Sequence, residues 1–137
     1  MTSILTYCGT VYPWQCDQMG HMNVMWYVSK FDEATWQFIA RIGLTPSYLR
    51  SGRGGVAGVQ QNISYKRELF AGSIIQVHSH LVSIREKSIV FSHEMRDLER
   101  DEIAATCELT AVHMNLRERK SAPFPDDVVA LARKMLQ

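Results

Sequence analysis

The segment CDQMGHMNVMWYVSKFDEATW, from Cys16 to Trp36, places an acid, a glycine and a histidine between Asp17 and His21, directly ahead of the longest helical pattern in the chain. A carboxylate can attack a carbonyl itself or act as the base that activates water. Backbone N–H groups at the start of a helix are unpaired and sit at the positive end of the helix dipole, so they can hold an anion that forms beside them. Gly20 can turn the chain sharply between the two, which lets Asp17 face the amides that follow Asn23. His21 can orient Asp17 or a bound group, and it can equally satisfy a hydrogen bond at the helix start. An Asp before a helix is also a frequent turn former, so position alone is compatible with a purely local role for Asp17.

These residues need elements to position them. Apolar and β-prone residues from Ile4 to Pro13 predict a first strand, which Pro13 ends. Val24, Tyr27, Val28, Phe31, Thr35, Phe38, Ile39 and Ile42 recur at spacings of three and four and predict an amphipathic helix. Asn23 can cap it and Gly43 can close it. Such a helix is roughly 30 Å long, enough to cross six strands spaced about 4.8 Å apart. Thr45–Ser47 starts a short helix through Arg50, and the Gly52, Gly54, Gly55 cluster breaks it. From Val56 to Leu116 the alternation predicts four strands, joined in part by short polar turns at Arg85–Lys87 and Leu98–Asp101. Pro123 and Pro125 end the sheet, and a small amphipathic helix follows from about residue 125. One sheet face must be covered, and only the Val24–Ile42 helix is long enough to cover it. The expectation is one α+β domain over residues 1–137, a curved antiparallel sheet wrapped around one long central helix.

The composition bounds the function. With 137 residues the chain can bury a core without staples, and 46% hydrophobic with 21% charged residues is ordinary for a globular protein. A net charge of +1, with basic residues scattered among acidic ones, predicts no nucleic-acid partner. Cys8, Cys16 and Cys107 are an odd number without the spacing of a metal or redox pair, which points to free thiols in a reducing compartment. The N-terminal residues lack the pattern of a secretory signal and no apolar run reaches a membrane span, so a cytoplasmic location without membrane contact is expected.

The motif D-x-x-G-H-x-N-x-x-x-Y, here Asp17, Gly20, His21, Asn23 and Tyr27, followed by Phe31, Ala34 and Gly43-Leu44, resembles the hotdog-fold acyl-CoA thioesterases of the 4-hydroxybenzoyl-CoA thioesterase-like family. The element order agrees with that family from about Tyr7 to Leu116. The resemblance implies a hotdog protomer, a homodimer with a continuous sheet or a homotetramer, active sites at the subunit interface, and hydrolysis of an acyl-CoA to a carboxylic acid and CoA without a cofactor. It places the catalytic carboxylate at Asp17 and the oxyanion-binding amide at about Val24, with His21 as a further catalytic candidate. Gly20, Asn23, Trp26 and Tyr27 are the expected borders of the substrate. Such chemistry suits these residues: a thiolate leaves readily, since thiols ionise near pH 8.5, so a strong general acid is optional. An attacking or base carboxylate and amides for the oxyanion remain necessary.

Other residues compete for attention. Asp32 and Glu33 form a second acidic pair, because some other hotdog branches place a carboxylate on the central helix; helical geometry puts Glu33 opposite the apolar stripe and Asp32 at its edge. Trp26 and Trp36 lie off the stripe and need a partner subunit or a ligand to cover them. An aromatic cage for a quaternary ammonium acyl group is one use, ordinary interface packing another. His78 and His80 share a strand face, but no second pair of ligands accompanies them and no metal is expected. Lys66, Arg67, Arg117, Arg119 and Lys120 can meet the phosphates of CoA or serve as a solvated sheet edge. Beside hydrolysis stands a noncatalytic acyl-CoA binding or sensing module, in which Asp17 merely shapes the loop.

Overall fold

The central helix α1, Val24–Arg41, lies across one antiparallel sheet, and its start is set by Asn23, whose side-chain oxygen accepts the Met25 N–H. The computed structural model describes residues 2–136. Before the helix come β1, Ser3–Thr10, and a 3₁₀ turn at Pro13–Gln15. After it come α2, Pro46–Arg50, then β2, Gly55–Tyr65, β3, Ile74–Ile84, β4, Ser88–Asp97, β5, Glu102–Asn115, the two-residue β6, Lys120–Ser121, and α3, Asp126–Met135. The strands run in the order β1-β3-β4-β5-β2, with β6 attached to β5. All pairings are antiparallel. Register shifts at Leu5/Tyr7, Gly58/Gln60, Leu81/Ser83 and Met95/Arg96 curl the sheet around α1. This is the expected α+β hotdog architecture, with a sheet curled against one central helix.

The core lies between α1 and the concave sheet face. Phe38 stacks on Phe91 with ring centroids 4.9 Å apart, and Phe31, Ile75, Val77, Leu81, Ile89 and Met95 fill the space around them. Alternate residues of β3 and β4 are buried, as a strand with one covered face requires.

Burial on α1 departs from the expected stripe. Val24 and Val28 are exposed, while Lys30 and Ala34 are buried. The helix is rotated toward β1, where the Lys30 ammonium donates to the Tyr7 hydroxyl at 3.1 Å and lies 5.3 Å from the centre of its ring. A long aliphatic stem and a partner for the charge make that burial tolerable. The 3₁₀ turn and β6 are further elements that alternation did not mark.

A polar chain, buried at Thr6, Ser79 and His93 and half-buried at Thr35, crosses the core beneath α1. His93 meets the Ser79 hydroxyl through Nδ1 and the Thr35 hydroxyl through Nε2, the latter at 2.9 Å. Ser79 in turn meets Thr6 at 2.7 Å, and Thr6 donates to the Val77 carbonyl. Burial brings the His93 pKa down to about 4, with nearby His80 acting in the same direction.

Candidate active site

The residues from Cys16 to Met22 form a closed turn. Cys16 and Met22 make an antiparallel bridge, the Asp17 N–H donates to the His21 carbonyl at 3.1 Å, and the Gly20 N–H donates to the Asp17 carbonyl at 2.9 Å. Gly20 has φ +88°, the left-handed conformation that closes a three-residue loop of this kind. The turn is anchored from below: Met22 is buried, and its N–H donates to the Leu69 carbonyl at 2.7 Å.

This geometry aims the Asp17 carboxylate. Oδ1 accepts the Met19 N–H at 2.8 Å and Oδ2 accepts the Asn23 side-chain N–H at 2.8 Å. The Asn23 bond, then the Met19 bond, and more weakly the proximity of His21 hold the Asp17 carboxyl below its ordinary value against a smaller opposing effect of burial. Asp17 is therefore an anion at neutral pH.

The helix start beside it offers one open amide. The Met25 N–H is taken by Asn23 Oδ1 at 2.9 Å and the Trp26 N–H by the Asn23 carbonyl at 3.0 Å. Among the described residues no acceptor meets the Val24 N–H. Val24 itself is exposed, at the start of the helix that Asn23 ties to Asp17.

The remaining expected residues divide. His21 turns away from the Asp17 oxygens: its Nε2 lies 3.6 Å from Glu68 Oε1 and its ring is edge-on to Phe70. Glu68, which no pattern singled out, lies between β2 and β3. Trp26 packs partly buried against the core. Tyr27, expected at the border of the substrate, is buried edge-on to Tyr65, and burial pushes its phenol up to about 12. It faces inward because it lies on the helix side that covers the sheet.

A separate cavity of about 300 Å³ opens between α1 and β2, with Asp32, Thr35 and Trp36 on the helix side and Gln60 and Gln61 on the strand side. Leu109 and Ala111 of β5 also line it. The Trp36 indole N–H donates to Asp32 Oδ2 at 3.2 Å, which places a carboxylate and an aromatic ring side by side. Glu33 lies on the exposed side of the helix, as expected. His78 faces Glu94 and His80 faces Ser92 across β4, and no group of three or more metal-binding side chains occurs among the described residues.

The basic residues do not form one group. Lys66 and Arg67 lie near the Glu102 end of β5, on the side of the Asp17 turn, and Arg67 pairs with Glu102 at 3.8 Å. Arg117, Arg119 and Lys120 follow Asn115 at the other end of the strand, separated by roughly 40 Å of extended chain. No described helix is long and apolar enough to cross a membrane.

A curled antiparallel sheet around one helix, with an acidic turn at the helix start, defines a class of protein. The chain belongs to the thioesterase-like superfamily, whose profile matches residues 11–131. It is 27% identical over 114 residues to the L-carnitine dehydrogenase/betainyl-CoA thioesterase of Rhizobium meliloti, a match that covers 83% of this chain and 23% of that protein. It is 25% identical to the betainyl-CoA thioesterase of Pseudomonas aeruginosa, over 95% of this chain and 82% of that one. Among solved structures, a Staphylococcus aureus protein in complex with CoA superimposes with a TM-score of 0.90 at 20% identity, covering 98% of this chain and 85% of that one.

Proposed function

We propose that the protein hydrolyses acyl-CoA thioesters, releasing a carboxylic acid and CoA. The observation that carries this reading is an ionised Asp17 carboxylate tied by Asn23 to the start of α1, where the Val24 N–H meets no acceptor among the described residues. Asp17 attacks the thioester carbonyl or activates the water that does so. The oxyanion that forms is held by the Val24 N–H and the helix dipole. The thiolate of CoA leaves without a strong acid, and Lys66 and Arg67, at the same end of the sheet, are the basic residues placed to meet its phosphates. Gly20 shapes the turn, and His21, paired with Glu68, borders it.

The second copy needed to complete the site pairs along β2. This strand is an open edge of the sheet, with exposed Val59 and Tyr65, and joining two such edges makes one continuous sheet. The reading is tested with a panel of short, branched, aromatic and quaternary-ammonium acyl-CoAs, comparing the wild type with Asp17→Asn. Selective thiol release in the wild type, reduced by orders of magnitude in a folded variant with binding retained, is the expected result. Saturable acyl-CoA binding without product marks the noncatalytic module instead.

The acyl group best supported is a quaternary ammonium one, as in the two betainyl-CoA thioesterases to which the chain is similar. The cavity holding Asp32 and Trp36 carries the carboxylate and indole that attract such a cation. Asp32 lies eight residues, about 12 Å, along the helix from Val24, whereas a betainyl nitrogen is a single methylene from its carbonyl. The cavity can therefore receive such a headgroup only from a thioester held by the neighbouring protomer. Betainyl-CoA turned over faster than the uncharged 3,3-dimethylbutanoyl-CoA supports this; equal rates refute it.

A further inference from the structure

The backbone and side-chain polar groups of Asn23 are all engaged. Its N–H donates to the Gln15 carbonyl at 2.9 Å and its carbonyl accepts the Trp26 N–H at 3.0 Å. Oδ1 accepts the Met25 N–H at 2.9 Å, and Nδ2 donates to Asp17 Oδ2 at 2.8 Å. The Met25 bond determines which way round the amide sits, because only its oxygen can accept that N–H; the NH₂ group then necessarily faces Asp17. From this we infer that Asn23 is a positioning residue: the side chain that starts α1 also holds the Asp17 carboxylate, charged and aimed, beside the open Val24 N–H. Its catalytic consequence rests on the thioesterase reading, whereas the coupling to Asp17 does not.

Neighbouring charges do not substitute for it. From the same turn, His21 favours the carboxylate only weakly through its charge, because its imidazole points toward Glu68 of the β2–β3 connection. The first turn of α1, which follows Asn23, carries no acidic residue, and Val24 and Met25 at its start are uncharged. Asn23 is the largest influence holding the Asp17 carboxyl below its ordinary value, ahead of the Met19 N–H. A hydrogen bond to a charged acceptor contributes enough that losing it lowers turnover roughly 10- to 100-fold when the charged group reacts.

Two variants separate positioning from capping. Asn23→Ser keeps an oxygen that caps the helix, but its hydroxyl is too short to bridge to Asp17. Asn23→Asp keeps the cap and sets a carboxylate against a carboxylate. Two measurements are made on each: the titration of the Asp17 side-chain carbonyl carbon by NMR, which needs no substrate, and kcat and KM on the acyl-CoA that the wild type hydrolyses best. The expected result is an Asp17 midpoint moved to higher pH in Asn23→Ser and further in Asn23→Asp, thermal midpoints within a few degrees of wild type, and a 10- to 100-fold loss of kcat with little change in KM. An Asp17 midpoint unmoved in both variants overturns the inference, as does unchanged kcat in a wild type that turns over substrate. If the wild type hydrolyses nothing on the panel, the thioesterase reading fails, and the NMR midpoint alone decides the coupling.

Discussion

Replacing Val24 by proline removes one hydrogen-bond donor and almost nothing else. Val24 is the first residue of α1, where proline is well accommodated because the N–H it lacks has no helical partner. The residue before a proline must be extended, and Asn23 already is, with φ −70° and ψ 149°. The valine side chain is 56% exposed, so its loss costs little packing. Of the amides of Val24, Met25 and Trp26, the latter two are taken by Asn23, so the open donor of the turn is the one deleted. Loss of a single oxyanion donor typically lowers kcat by about 10²–10³, or roughly 2.7–4 kcal/mol of transition-state stabilisation. Val24→Pro is therefore expected to keep its thermal midpoint and lose about that factor in thiol release. Val24→Ala, which retains the amide, stays near wild type. A folded Val24→Pro protein with kcat within about threefold of Val24→Ala refutes the oxyanion role, because one donor is worth far more than that.

Two predictions concern the scaffold. His93 has a folded pKa of about 4 against an ordinary 6.5, so between those values the unfolded chain binds a proton that the native chain rejects. Stability is then full above pH 6.5 and falls by about 3 kcal/mol as the pH descends to 4. Urea unfolding of His93→Gln should give a correspondingly flatter profile over that window, and parallel profiles would contradict the burial argument. Gly54 lies against the buried Tyr48–His113 hydrogen bond, where an added Cβ would come 2.7 Å from the Tyr48 hydroxyl. Gly54→Ala should cost about 1–3 kcal/mol, visible as a melting point lower by roughly 5–10 °C; an unchanged melting point would show that His113 moves aside freely.

The elements were legible in the chain because their causes are local. The spacing from Tyr27 to Ile42, the cap at Asn23 and the polar joints at Arg85–Lys87 and Leu98–Asp101 each act over a few residues, and the observed elements begin and end close to those marks. The central pairing of the candidate site is local as well: Asp17 and Asn23 are six residues apart, and Gly20 closes the turn that brings them together. Tertiary structure decided the rest. Lys30 is buried and Val28 exposed because β1 puts Tyr7 beside one flank of α1. The basic residues separate because β5 carries its ends to opposite sides of the sheet. The chain Thr6–Ser79–His93–Thr35 draws on β1, β3, β4 and α1, and Glu68 meets His21 only once the β2–β3 connection passes under the turn. Periodicity and capping report what a residue does to its own few neighbours; which side chains from distant segments share a low-dielectric interior is settled only when the sheet curls and the helix seats on it.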